Sequence, residues 1–195
     1  MKLCITQKGA TGNVDDRRGK NLMLASSSPG RTEIMSIQKS CMILVVDDDP
    51  VCLDEYRDTI SNLGYTVACA ANAPEALKII AETPDIGVVI TDLEMPTMDG
   101  ISLLSEISNR FSPSRPIVSL VVTAHSSLQV ATQAMQYQAT DLLTKPVSME
   151  NLAAALRRAS AYHVTMSNRF QLTALTKRLA PSVGRDLAPK CDAAP

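Results

Sequence analysis

The sequence predicts a doubly wound α/β domain built on a five-stranded parallel sheet, and three observations carry that prediction. Short apolar runs rich in Val and Ile alternate with amphipathic stretches from residue 42 onward. The runs are nearly continuous rather than alternating, which implies burial on both faces and hence parallel strands covered by helices. Polar residues able to do chemistry stand at the ends of four of the five runs, where α/β sheets place their ligands.

The first run, Met42–Val46, stops at Asp47-Asp48-Asp49-Pro50. Asp49 reads as a helix N-cap with Pro50 at the first helical position. A helix is predicted over Pro50–Leu63, with Leu53, Tyr56, Ile60 and Leu63 on one face and Gly64 ending it. Further strands are predicted over Tyr65–Ala70, Ile86–Thr91, Pro116–Val122 and Thr140–Thr144. Helices are predicted between them over Pro74–Ala81, Gly100–Arg110 and Ser127–Gln138. A last helix begins after Pro146, capped by Ser148 with Glu150 in its first turn. Its periodic face takes in Leu152, Leu156, Ala159, Met166 and Phe170, and Leu172, Leu175 and Leu179 continue the spacing past the point where the domain needs it.

This pattern divides the chain into a polar, Gly- and Ser-containing leader over 1–40, expected to be disordered, a folded domain over 41–162, and a helical extension with a frayed tail over 163–195. Met35 and Met42 are alternative internal starts. Net charge is −1, but residues 41–145 carry a net −9 while 1–40 and 146–195 each carry +4, so an acidic body has two mildly basic arms. The five cysteines are odd in number and lack Cys-x-x-Cys spacing, which points to a reducing cytoplasmic setting without a disulfide frame or zinc site. No run approaches the ~20 apolar residues of a membrane span, and the N-terminus has no signal-peptide pattern, so no membrane partner is expected. Trp is absent and aromatics are few, so base-stacking platforms and a nucleic-acid partner are not expected either.

In a parallel sheet all strand ends of one polarity lie on one edge. That edge receives Asp47 and Asp48 from the first strand, Asp92 from the third, Thr123 from the fourth and Lys145 from the fifth. Asp47 and Asp48 repel one another unless a cation sits among them, and hard oxygen ligands of this kind suit Mg²⁺. The set suits phosphoryl transfer: carboxylates hold the metal, one Asp attacks phosphorus, and Lys and Thr hold the new phosphoryl oxygens. Taken singly, Asp92 fits a loop acid, Thr123 a β-former and Lys145 a solvated cation; their coincidence at strand ends is the signal.

Four segments, Val45-Val46-Asp47-Asp48-Asp49-Pro50, Thr91-Asp92-Leu93-Glu94-Met95-Pro96-Thr97-Met98-Asp99-Gly100, Val122-Thr123-Ala124-His125 and Asp141-Leu142-Leu143-Thr144-Lys145-Pro146, resemble the receiver domain of two-component response regulators in order and spacing. The resemblance covers about residues 41–160 and implies a flavodoxin-like receiver fold of the stand-alone, chemotaxis type. It implies Asp92 as phospho-acceptor, and Mg²⁺ held by Asp47, Asp48, Asp92 and the backbone carbonyl of Glu94. It implies Thr123 as the switch hydroxyl, Lys145 as a phosphoryl contact, and a cis Lys145-Pro146 bond. A histidine kinase or phosphotransfer protein is the implied phosphoryl donor. The sequence departs from the family at Leu142, where an aromatic residue is common three positions before the Lys, and at Gln138, where Gly is common; Tyr137 falls five residues before Leu142 and cannot take the aromatic's role.

Two alternatives stand beside this. Asp47-Asp48-Asp49-Pro50-Val51 fits the opening motif of a haloacid-dehalogenase-type phosphatase, but that fold needs an acidic pair downstream of the Lys. Only Glu150, Asp186 and Asp192 follow, and none forms such a pair. A degenerate receiver acting only as a docking module would not need all five chemical positions filled. For output, about 33 residues follow Tyr162, short for a helix-turn-helix domain. The expectation is therefore a regulator rather than an enzyme, which signals to a downstream protein of unknown identity and forms a homodimer through its last helix when activated.

Overall fold

Each apolar run forms a strand. In the computed structural model, which describes residues 41–125 and 127–179, the strands are β1 (Met42–Val46), β2 (Thr66–Ala70), β3 (Ile86–Asp92), β4 (Val118–Thr123) and β5 (Ala139–Thr144). The helices are α1 (Pro50–Asn62), α2 (Ala73–Glu82), α3 (Gly100–Arg110), α4 (Leu128–Gln136) and α5 (Met149–Leu179). The expectations of a disordered leader over 1–40 and a frayed tail from Pro181 onward lie outside the described residues.

The strands pair in parallel in the order β2-β1-β3-β4-β5, the doubly wound order of the flavodoxin type. Val45, Ile90, Leu120 and Asp141 lie side by side across four strands. Central β3 is buried at every position and β4 likewise, as continuous apolar runs require. Edge strand β5 is only half buried. On one face α1 and α5 close a core of Ile43, Val45, Leu53, Ile60, Val88, Ile90, Leu152 and Leu156. On the other, α2 and α3 close a core of Leu44, Val46, Leu77, Ile80, Val89, Leu103 and Ile107. A smaller cluster joins Leu93, Leu104 and Val121 to Ala134 of α4.

The helix starts follow their capping residues. The Asp49 carboxylate accepts from Val51 N at 2.9 Å, with Pro50 at the first turn. Asn72 accepts from Glu75 N at 2.9 Å, while Glu75 reaches back to Ala71 N at 3.0 Å, in the manner of a capping box. Asp99 caps α3 through Ser102 N at 2.7 Å, and Ser148 caps α5 through Asn151 N at 3.2 Å. Gly64, at φ 89°, ends α1 in the left-handed region open to glycine.

Two differences from the sequence expectations have physical causes, and the expected extension of the last helix is present. β4 starts at Val118 rather than Pro116, because Pro offers no N–H to a ladder. α4 is shorter at both ends than Ser127–Gln138, and Gln138 stops it in the left-handed region at φ 63°. α5 overruns the sheet. Its 31 residues span roughly 46 Å at the helical rise, whereas strands of 5–7 residues span about 20 Å. Leu152, Leu156 and Ala159 are therefore buried, but Phe170 is 42% exposed, and every residue from Asn168 to Lys177 is exposed.

A non-glycine residue in the left-handed region costs about 1–2 kcal/mol, part of which glycine returns through its greater chain entropy. Gln138→Gly is expected to raise stability by about 0.5–1 kcal/mol in urea unfolding; an unchanged or lower midpoint would show that the Gln138 side chain repays its strain.

Candidate functional site

Parallel pairing brings the expected residues to one edge of the sheet. Asp92 is the last residue of β3, Thr123 the last of β4, and Asp47 and Lys145 directly follow β1 and β5. Asp47 is 2% and Asp92 8% exposed, while Asp48 faces solvent. One carboxylate oxygen from each of Asp47, Asp48 and Asp92 lies within 4.8 Å of the others, which makes them a candidate metal cluster among the described residues.

The Lys145 ammonium lies between the two buried acids. Nζ donates to Asp92 Oδ2 at 2.7 Å and to Asp47 Oδ2 at 2.9 Å. Burial alone would push its pKa down, but the hydrogen bonds to Asp92 and Asp47 outweigh burial and hold it well above the ordinary lysine value. The remaining oxygens are lightly engaged: Asp47 Oδ1 accepts from Asp49 N at 2.9 Å, and Asp92 Oδ1 accepts only a long bond, 3.4 Å, from Glu94 N. Lys145 itself is fixed by its backbone, whose N–H donates to Thr123 O at 2.8 Å, and the Lys145-Pro146 bond is cis. Tyr56 of α1 stands close by, its hydroxyl pKa pushed up to about 12 by burial.

Asp92 is aimed by the loop after it. Gly100 N donates to Leu93 O at 3.0 Å, and a Cβ on Gly100 would stand 2.2 Å from the Asp92 backbone oxygen, so only glycine lets α3 start this close to the strand end. Inside the loop, Met98 N donates to Pro96 O at 2.8 Å around Thr97 at φ 73°. This is the strained kind of γ-turn, and a β-branched residue at its centre is rare. Strain of this sort gathers where a site over-determines its backbone.

Thr123 is buried, and its hydroxyl closes a local turn, accepting from His125 N at 3.0 Å and donating to His125 O at 3.3 Å. His125 Nδ1 meets Glu94 Oε1 at 2.7 Å, so the loops after β3 and β4 are tied across the mouth of the site. Sequence reasoning missed that pair; both residues stand two positions after a strand-end site residue, but nothing in the sequence signals that they touch. It also left Leu142 open. Leu142 packs against the cluster of Leu93, Leu104, Val121 and Ala134, so it is already turned toward α4. Tyr137 is 37% exposed and lies outside that cluster.

A doubly wound sheet of this order, with three acids, a Thr and a Lys at its carboxyl edge, defines a class of phosphoryl-accepting domain. The family model of the response regulator receiver domain matches residues 43–157, and the chain belongs to that family. The positive alginate biosynthesis regulatory protein of Pseudomonas aeruginosa is 39% identical over 139 residues, which is 69% of this chain and 51% of that protein. The DNA-binding transcriptional regulator NtrC of Escherichia coli is 35% identical over 123 residues, 63% of this chain and 25% of that one. The chain thus spans about half the length of the first relative and a quarter of the second. A receiver domain structure from Clostridium thermocellum superposes with a TM-score of 0.58 at 31% identity, covering 68% of this chain and 98% of that one. A CheY-like receiver structure from Methanospirillum hungatei gives 0.59 at 26% identity, covering 64% and 97%.

Removing the cation between two buried acids leaves them uncompensated. Lys145→Met is expected to lower stability by about 2 kcal/mol in metal-free urea unfolding, and by clearly less in an Asp92→Asn background; equal losses in both backgrounds would contradict the coupling.

Proposed function

We propose that the protein is a response regulator that accepts a phosphoryl group on Asp92 from a histidine kinase or phosphotransfer protein. The observation that carries this is the contact of Lys145 Nζ with Asp92 Oδ2 at 2.7 Å beside a cluster of three carboxylates. Three acids converging within 4.8 Å, one of them facing solvent, suit an octahedral oxygen-ligated cation. Asp47, Asp48, Asp92 and the backbone carbonyl of Glu94 would hold Mg²⁺. When bound, it neutralises charge on the transferring phosphoryl oxygens.

In this reading Asp92 Oδ1 is the attacking atom, because Oδ2 is tied to Lys145 and Oδ1 has only its long bond from Glu94 N. Oδ1 forms a bond to phosphorus as the bond from phosphorus to the donor's imidazole nitrogen breaks, and the imidazole leaves. Lys145 holds an oxygen of the new acyl phosphate. The Thr123 hydroxyl turns from His125 toward another, which opens the turn after β4 and strains the His125–Glu94 tie. The α4 surface, where Leu128 and Met135 are 85% and 74% exposed, then changes its contacts. Leu142, packed toward α4, is an aliphatic substitute for the aromatic that usually reports this change.

The output proposed for the described residues is protein contact, including homodimerisation through the exposed Leu172 and Leu175 of α5. NtrC, by its name, binds DNA, and it extends well beyond the part matched here; a nucleic-acid target would be reached through such further sequence. No helix among the described residues is long and apolar enough to cross a membrane, which fits action in the cytoplasm. The protein's chemistry is confined to its own phosphorylation and dephosphorylation, without turnover of a separate substrate.

Acetyl phosphate with Mg²⁺ is expected to add one phosphoryl group by intact mass to the wild type and none to Asp92→Asn, and a chelator is expected to abolish the addition. Equal labelling of the Asn variant would sink the assignment. Activation with beryllofluoride is expected to raise the mass seen by light scattering toward that of a dimer; identical masses with and without it would leave the α4 surface as the output and rule out dimerisation.

A further inference from the structure

At the opposite edge of the sheet from the phosphorylation site, α5 is keyed into the strands by one side chain. A Cβ built on Gly87 of β3 would stand 2.6 Å from both Cε1 and Nε2 of His163, and 2.6 Å from Cys41 Cβ. The imidazole therefore occupies the place of the side chain that Gly87 lacks. Ser160, one turn earlier on α5, is fully buried, whereas from Asn168 onward the helix is exposed. His163 thus sits where the helix passes from buried to exposed, with Val164, Met166 and Ser167 half-buried just beyond it.

The seat is hostile to a charged ring. His163 Nδ1 is buried without a hydrogen-bond partner of good geometry, and Nε2 has only Ser167 Oγ at 3.4 Å. Cys41, just before β1, is a neutral thiol whose pKa burial raises, so it offers no counter-charge. From the segment before β4, Arg115 lines the same groove of about 250 Å³ as His163. Its guanidinium is fixed by the carbonyls of Thr83 and Ile80 and cannot swing away. Asp85, before β3, is the acid in that groove and offsets Arg115. Burial lowers the His163 pKa, the Pro116 backbone opposes this, and the Arg115 charge adds to the lowering.

We propose that His163 is a proton-operated catch: neutral, it locks α5 to the base of the sheet through the Gly87 socket, and protonated, it leaves the socket and frees the extension. The groove beside it gives the ring a way out to water. The seated ring binds protons less readily than the released one. Release is therefore favoured as pH falls through the ordinary histidine range near ~6.5, and the lock is complete above it. Local opening of this kind couples proton uptake to the helix that carries Leu172 and Leu175, without touching the phosphorylation chemistry.

The test is amide hydrogen exchange of the full chain, corrected for intrinsic rates, at about pH 7.5 and about pH 5.5. Protection over residues 164–177 is expected to fall at the lower pH by up to about tenfold, the limit set by the one unit between the ordinary histidine value near ~6.5 and pH 5.5, while β1, β3 and β4 keep theirs. The chain's other histidine, His125, lies at the far edge of the sheet, so His163→Gln is expected to remove the step and leave protection the same at both pH values. Gly87→Ala, which fills the socket, is expected to show the released pattern at both. Should Gly87→Ala fail to fold, His163→Gln decides alone. Protection in the wild type that ignores pH, or a step that persists in His163→Gln, overturns the proposal.

Discussion

Three carboxylates converge at one edge of this sheet, and the Lys145 ammonium is what allows two of them to be buried there. Its bonds to Asp47 and Asp92, at 2.9 and 2.7 Å, compensate charges that would otherwise have to protonate or move into water. The fold serves that contact. β1 and β3 are hydrogen-bonded neighbours and bring Asp47 and Asp92 together, while β4 separates β3 from β5 and fixes Lys145 through the Thr123 carbonyl. Lys145 comes from 98 positions beyond Asp47, so the pair exists only once the whole sheet has formed.

The same bond supports the proposed switch. Lys145 is a single cation shared between two acids, and Asp48 is left facing solvent beside them. Excess negative charge makes the cluster receptive to a divalent cation, and a phosphoryl group on Asp92 would redistribute the bonds of Lys145 and Thr123 together. The Thr123 hydroxyl is satisfied within its own loop, by His125, so it can be withdrawn without orphaning a deep core group.

Much of this was legible because local chemistry and topology agree. The apolar runs read as strands since parallel strands are buried on both faces, and Asp49, Asp99 and Ser148 cap helices as their type and position suggest. Asp47, Asp48, Asp92, Thr123 and Lys145 were legible as strand-end residues. What stayed hidden depends on contacts between distant segments or on backbone shape. Nothing in the sequence distinguishes Gly87 from any other strand glycine, yet it seats a histidine from 76 positions away. Thr97 reads as an ordinary loop residue, although it holds a strained γ-turn beside Asp92. The periodic spacing of α5 announced a helix longer than the domain needs, but the point where it leaves the sheet and exposes Phe170 depends on the length of the strands beneath it.

If the acidic cluster beside Lys145 is a Mg²⁺ site, its exposed member should control metal binding. Calorimetric titration of the full chain with Mg²⁺, in wild type and in Asp48→Asn, tests it most directly. Asp48 is exposed and takes no part in the core, so its amide should leave the fold intact. One saturable Mg²⁺ site is expected in the wild type, and its loss in the variant. Equal binding by both proteins, or none by either, would contradict it.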